Sequence, residues 1–406
     1  MEPTSPQQPY SYPSISPPST RKTKRASTLV LIALLLVGLL AGGFIGYALT
    51  YSDFNNKLNT LQAQLGMYQG SSSDSPTFLL NDNVSLSTLY QQVKSSVVIV
   101  QDLVQGYTIF GQRVYTLQQG SGFITQVDSR LVIVTNNHVV EGAINVTVTF
   151  ADGNSYPATV LGSDAKADLA VLSVSSMPSG VAPLTLVSSN TLTVGDPVVA
   201  VGTPYGLSGT LTTGIVSALG RTITEDDSSQ NGQNIPDTIQ TSTPINAGNS
   251  GGPLLNYKGE VVGITTAGIS NSEGLGFAIP SSTIMRELAS LVTSGSYDQH
   301  PSINAAGTDM NYPIAQAMGA SVSYGWLVES VSVQNGLQGG TATKAILNQN
   351  IVVGGDIIIA INNVRIANTD DLLSYLEQHT LPGQIVSFTV IRNGQTQTVS
   401  VTIGKA

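Results

Sequence analysis

Between residues 77 and 280 the chain repeats one texture: short β-branched and aliphatic runs, each closed by glycine or turn residues. Val97–Val100, Leu131–Thr135, Val146–Phe150, Val198–Gly202, Gly214–Leu219 and Val261–Ile264 are examples. No long helical periodicity interrupts them. Many strands at close spacing predict an antiparallel barrel or sandwich. Forty-one glycines and only 10% charged residues fit such a strand-and-turn body. Ser281 to Leu291, with Ile284, Leu288 and Leu291 on one face, predicts a helix that closes the region.

One glycine-rich turn carries a hydroxyl: Gly248-Asn249-Ser250-Gly251-Gly252, followed by the apolar Pro253-Leu254-Leu255. Glycines on both sides let backbone amides approach a ligand atom, as a serine nucleophile with an oxyanion hole requires. The turn is also compatible with a plain strand connection, and Gly248-x-Ser250-x-Gly252 matches the nucleophile elbow of α/β-hydrolases. A serine nucleophile needs a base, and the base needs an orienting acceptor. Three histidines are present, and His300 and His379 lie in or beyond a candidate linker at 295–301. His138, at the end of the apolar run Val132–Thr135, is the base left to the region around Ser250. An unperturbed imidazole of pKa about 6.5 suits that task. Asp168 directly precedes the apolar run Leu169–Leu172 and is the candidate orienter, since a buried carboxylate requires a partner. Asp164 reads as a solvated turn residue. The order His138, Asp168, Ser250 is that of chymotrypsin-like barrels. An elbow would need a helix after Ser250, whereas Pro253 to Ile264 reads strand, turn, strand.

Seven ordered motifs carry a family resemblance. They are Gly120–Ile124, Thr135–Val140, Asp168–Leu172, Val201–Leu207, Thr213–Ser217, Asn246–Leu254 and Gly276–Pro280. The chain resembles the HtrA/DegP family of trypsin-fold serine proteases over residues 79–406, with a C-terminal unit similar to their PDZ domain. The resemblance implies a mainly β fold: two six-stranded barrels with the active site between them, then a PDZ domain. It implies Ser250 as nucleophile, His138 as general base and Asp168 as the residue that fixes the imidazole tautomer. Gly248, Asn249 and Ser250 would supply the oxyanion hole, and Ile245, Thr266 and Gly268 the substrate pocket. By similarity, activation loops lie at 222–239, 246–248 and 268–274, and the oxyanion hole switches with them. The implied activity is endopeptidase cleavage of unfolded or damaged proteins without metal or other cofactor, by a homotrimer. A protease-like chaperone or scaffold that binds chains with little cleavage is the alternative.

Two departures from the family pattern stand out. Where members read Asp-Ala-Ala-Ile-Asn-Pro, this chain reads Ser242-Thr243-Pro244-Ile245-Asn246-Ala247. In the PDZ unit, the loop that captures C-terminal carboxylates normally reads hydrophobic-Gly-hydrophobic. Here Ile303-Asn304-Ala305 puts Asn304 at the glycine position. Asparagine tolerates the left-handed region better than other non-glycine residues, so capture of C-terminal peptides stays open beside docking of another chain.

The N-terminal part has a different character. Residues 1–27 form a Pro/Ser-rich tail ending in Arg21, Lys22, Lys24 and Arg25. An uncharged apolar run of 21 residues, Leu29–Leu49, follows. As a helix it spans roughly 31 Å, enough for a bilayer core of about 30 Å. The expectation is a retained single-pass anchor over 28–50, N-terminus cytoplasmic and the rest extracytoplasmic; a cleaved signal peptide is the alternative. Residues 51–78 read as a stalk with a short apolar seam (Phe54, Leu58, Leu61, Leu65, Tyr68) and a flexible Gly/Ser linker. The protease domain is expected at 79–294, a linker at 295–301 and the PDZ domain at 302–406. Setting aside those four basic residues and Glu2 from totals of 16 basic and 25 acidic leaves 12 against 24, which disfavours nucleic acid as partner. No cysteine is present, so disulfides and thiolate metal sites are excluded. No metal-ligand spacing, P-loop or dinucleotide fingerprint appears.

Overall fold

The computed structural model describes residues 85–107, 112–203, 209–224, 234–246, 248–266 and 274–406. All fall in the second of two units, Asn81–Ala406. The expected tail, anchor and stalk lie outside the described residues, as does the acidic loop 225–233. Among the described residues, no helix is long and apolar enough to cross a membrane.

A short helix α1 (Leu86–Val93) leads into β1 (Val97–Tyr107), β2 (Arg113–Val127), β3 (Arg130–Thr135), β4 (Ala143–Thr149), β5 (Ser155–Asp164) and β6 (Leu169–Val174). These strands close a barrel in the order β1-β2-β3-β6-β5-β4. A second closed barrel comprises β7 (Pro197–Gly202), β8 (Thr210–Thr224), β9 (Asn234–Thr241), β10 (Pro253–Leu255), β11 (Val261–Thr266) and β12 (Gly276–Pro280). Helix α2 (Ser281–Ser294) closes the pair and ends on Gly295 at φ 78°. The near-continuous apolar strands are explained by burial of both faces. Along β7, Val198 and Ala200 enter the second barrel's interior, while Val199 and Val201 join a core shared with Phe123, Val134, Leu288 and α1. Successive side chains point to opposite faces, so each strand feeds two cores.

The C-terminal unit contains β13 (Pro301–Ser302), β14 (Ala305–Asp309), α3 (Tyr312–Met318), β15 (Trp326–Val331), β16 (Ala342–Ile346), β17 (Gln349–Val353), β18 (Ile357–Ile361), β19 (Val364–Arg365), α4 (Thr369–His379), β20 (Ile385–Arg392), β21 (Gln395–Thr402) and β22 (Gly404–Lys405). The main sheet runs β14-β15-β18-β20-β21. The turn between β20 and β21 carries Asn393 at φ 52° and Gly394 at φ 77°, the conformations that an Asn-Gly hairpin supplies. Asn368 caps α4 by accepting from the Asp371 N–H at 2.9 Å.

Helix α4 docks on the second barrel through polar contacts. Asp370 accepts from the Thr222 N–H and from Arg221, and Asp237 on β9 accepts from Ser374 and Gln378. The seam continues into a buried cluster that corrects the reading of Asp164 as a solvated turn residue. Asp164 is buried, and its Oδ2 lies 2.6 Å from Nε2 of His300. The stretch 295–301 is therefore more than a tether: His300 is packed against the first barrel, with Nδ1 3.2 Å from Oε1 of Glu377. Burial opposes protonation of this imidazole, but the bonds to Asp164 and Glu377 outweigh it and raise His300 to about 9. Burial and the Asp164 charge push Glu287 up to about 8, against the pull of Arg286.

Both folded-state values are raised, so both groups stabilise the joint in their protonated forms. The contribution of Glu287 declines from its ordinary 4.5 through about 8, and that of His300 from 6.5 through about 9. The gap in melting temperature between wild type and His300→Gln is expected to narrow as pH rises through the upper window. A gap independent of pH across a series of thermal melts would contradict the imidazolium at this joint.

Candidate active site

Pairing of β3 with β6, in the register Thr135↔Ala170, brings the turn after β3 beside the residue before β6. His138 sits in the first of these positions and Asp168 in the second. Asp168 occupies the left-handed region at φ 50° in a turn closed by its own N–H to the Ala165 carbonyl. Its backbone carbonyl accepts from Asn136 Nδ2 at 3.0 Å. The carboxylate then meets His138 three ways: Oδ1 accepts the His138 backbone N–H at 2.9 Å, and Nδ1 lies 3.0 Å from Oδ1 and 2.9 Å from Oδ2. Asp168 is 1% exposed, while about a third of the His138 side chain meets solvent. A buried carboxylate facing Nδ1 places the ring proton there and leaves Nε2 as the basic nitrogen.

The second barrel delivers Ser250 to the same place. The Ser250 carbonyl accepts the Ser121 N–H of β2 at 2.7 Å. A Cβ added to Gly120 would lie 2.7 Å from Val139 and 3.0 Å from the Ser250 carbonyl, so the residue after His138 and the nucleophile's backbone meet over that glycine. Gly251 (φ 86°) has no room for a side chain, since a Cβ would stand 2.0 Å from the Ser121 carbonyl. Thr265 pins the turn by donating its hydroxyl to the Asn249 carbonyl at 2.6 Å, and its carbonyl accepts the Gly251 N–H at 2.9 Å.

The other expected site residues are placed as follows. Gly248 has φ 95°. The Asn249 N–H, an expected oxyanion donor, is engaged in this form: it donates to the Asn246 carbonyl at 2.9 Å and closes a turn. Ile245 packs against the second barrel's interior cluster. Thr266 is buried, and its hydroxyl donates to Asp168 Oδ2 at 3.2 Å, giving it an orienting contact beside its expected pocket position. Gly268 lies outside the described residues. Asn304 adopts φ 50°, between Ile303 (buried) and Ala305 (half-buried), and its carbonyl accepts from the N–H and hydroxyl of Ser332. Ser242, where the family pattern has Asp, accepts the Ile215 N–H on its hydroxyl at 3.0 Å.

Ser121 carries a role that no residue-by-residue reading assigned. Its hydroxyl donates to the Gly248 carbonyl at 2.6 Å and accepts the Thr203 N–H at 2.9 Å, tying the two barrels together behind the nucleophile. Its place in Gly120-Ser121-Gly122 was the available signal. Ser121→Ala orphans a buried N–H and is expected to cost about 1–3 kcal/mol in urea denaturation. An unchanged denaturation midpoint would show that the hydroxyl is dispensable.

Comparison with known proteins bears on the whole described body. A trypsin-like peptidase domain model matches residues 120–264, and a PDZ domain model matches residues 317–403. The periplasmic pH-dependent serine endoprotease DegQ of Escherichia coli (strain K12) is 38% identical over 287 residues, covering 70% of this chain and 59% of DegQ. Protease Do-like 1, chloroplastic, of Arabidopsis thaliana is 35% identical over 342 residues, covering 81% of this chain and 73% of the relative. This chain therefore spans less than two thirds of DegQ and nearly three quarters of Do-like 1. Among solved structures, the HtrA-type protease AlgW with a decapeptide aligns at TM-score 0.58 and 26% identity, covering 80% of this chain and 99% of AlgW. AlgW with a tripeptide aligns at TM-score 0.58 and 27% identity, covering 79% and 97%.

Proposed function

Because the chain belongs to the HtrA/DegP family of trypsin-like serine proteases, we propose that it is a serine endopeptidase of protein quality control, cleaving unfolded or damaged proteins. The observation that carries this reading is the His138 Nδ1–Asp168 carboxylate pair, at 2.9 and 3.0 Å, on the barrel wall that also holds the Ser250 turn. In the proposed mechanism, the Ser250 hydroxyl attacks the scissile carbonyl while His138 Nε2 takes its proton. Asp168 holds the imidazole and balances the imidazolium that forms, and Thr266 holds Asp168. The tetrahedral oxyanion is received by the Gly248 and Ser250 amides; one such donor is typically worth about 10²–10³ in rate. His138 then protonates the leaving amine, and water releases the acyl-enzyme by the same route. This chemistry uses no metal or other cofactor.

The bond from Asn249 N–H to Asn246 favours a resting form in which the hole is completed only when the loop turns over. A chaperone-like reading, binding chains with little cleavage, corresponds to that form dominating. The 28–50 segment is proposed as a single-pass anchor that places protease and PDZ domains outside the cytoplasm, and a homotrimer as the assembly. Capture of C-terminal peptides is proposed for the loop at Ile303, Asn304 and Ala305, because Asn304 already holds the left-handed conformation that the glycine would supply; the AlgW structures show that an HtrA-type protease takes peptides.

Fluorophosphonate labelling of the detergent-solubilised chain, with an unfolded protein present, tests the enzyme reading. Covalent label on Ser250 is the expected result. A wild-type chain that binds the unfolded protein but takes up no label would establish the chaperone reading instead.

A further inference from the structure

Three side chains from three segments meet at the joint between the two domains: Asp164 at the end of β5, Glu287 on α2 and His300 in the linker. One ligand atom from each lies within 4.8 Å of the other two, and all three residues are buried. The second atom of each group is held from outside. Oδ1 of Asp164 accepts the Lys166 N–H at 2.9 Å, Oε1 of Glu287 is 2.7 Å from the Arg286 guanidinium, and Nδ1 of His300 faces Glu377 at 3.2 Å. That leaves Oδ2, Oε2 and Nε2 turned inward. As a carboxylate, Glu287 finds no donor for its buried Oε2; only in its protonated form does it bond, by donating to Asp164.

Metal-binding histidines donate their other ring N–H to a carboxylate, and ligating carboxylates are themselves hydrogen-bonded from behind. The Glu377–His300 and Arg286–Glu287 contacts reproduce both supports. With Glu287 and His300 deprotonated, Asp164, Glu287 and Glu377 face the Arg286 guanidinium, and one divalent cation in place of the two protons keeps the group neutral. Tyr297 completes the wall, edge-on to His300 with ring centroids 5.1 Å apart. We propose that Asp164 Oδ2, Glu287 Oε2 and His300 Nε2 form a zinc site that fastens the PDZ linker to the protease barrels. One nitrogen and two carboxylate oxygens with an open fourth position suit Zn²⁺ bonds of about 2.0–2.2 Å. Tetrahedral ligand atoms then stand about 3.4 Å apart, so zinc entry requires His300 and Asp164 to separate from their present 2.6 Å contact. Spacing along the chain hides this site, because its ligands are scattered over three elements. It is independent of the Ser250 chemistry.

The test uses the full chain in detergent, stripped with a chelator and titrated with Zn²⁺, and with Co²⁺ as a spectroscopic stand-in. We expect one ion per chain by elemental analysis, visible Co²⁺ bands, and a melting temperature that rises with Zn²⁺. Glu287→Gln, nearly isosteric and thus able to fold, and His300→Gln should abolish the bands. Glu377→Gln should weaken uptake about 10–100-fold, the usual cost of losing such a support. His379→Gln should leave uptake unchanged. No stoichiometric uptake by wild type would overturn the site and leave protons alone holding the cluster. Uptake undiminished in Glu287→Gln and His300→Gln would overturn it equally, placing the ion elsewhere.

Discussion

Ser250→Ala is expected to abolish fluorophosphonate labelling and to lower peptide-bond hydrolysis by about 10⁶-fold, the loss seen when a triad nucleophile is removed from an otherwise intact site. The size of the effect follows from what the serine does. In the proposed mechanism it forms the acyl bond, and no other hydroxyl in the turn Gly248–Gly252 can replace it. The framework survives, because the Ser250 contact with the Ser121 N–H uses a backbone carbonyl that alanine retains. Near-wild-type hydrolysis of an unfolded substrate by the alanine variant, at an unchanged melting temperature, would remove Ser250 from the mechanism.

Asp168→Asn is expected to reduce kcat by about 10⁴-fold, the scale set by the corresponding change in a Ser-His-Asp protease. The carboxylate accepts at both oxygens, from His138 N–H, His138 Nδ1 and Thr266. An amide offers one acceptor and one donor, so the NH₂ group confronts Nδ1 and favours the ring tautomer with its proton on Nε2. That nitrogen then has no lone pair for the serine proton. The backbone accommodates the change: residue 168 sits at φ 50°, which asparagine tolerates, and its carbonyl keeps the bond from Asn136. The measurement pairs kcat with a thermal melt. A kcat within tenfold of wild type would show that Asp168 does not set the tautomer.

Strands and the barrel site were legible because their signals are local or scarce. Val198–Gly202 and Val261–Ile264 announce strands on their own, and a single upstream histidine left little choice of base for Ser250. The N-cap at Asn368 and the turn at Asn393-Gly394 are local too. Other features depend on which residues the fold brings together. Ser121 looked like one small residue between glycines; only its approach to Gly248 and Thr203 reveals a tie between barrels. Thr266 shows its contact with Asp168 only when the second barrel meets the first. Asp164 carries an ordinary turn sequence, and its burial comes from a histidine 136 positions away. The hairpin of β16 and β17 covers α3 with Ile346, Ile351 and Val353, an addition whose apolar residues are too few to announce a role beforehand.

The division of the site between barrels also fixes a schedule. His138 and Asp168 belong to the first barrel, whereas Ser250 and the Thr266 that steadies Asp168 belong to the second. A ribosome adding roughly 5–20 residues per second, with domains folding from the N-terminal end, needs roughly 5–20 s to pass from Asp168 to Thr266. For most of that interval the emerging chain holds the proposed base without the proposed nucleophile. On the proposed mechanism, a newborn copy therefore stays unable to cut its neighbours until its second barrel has also emerged and folded.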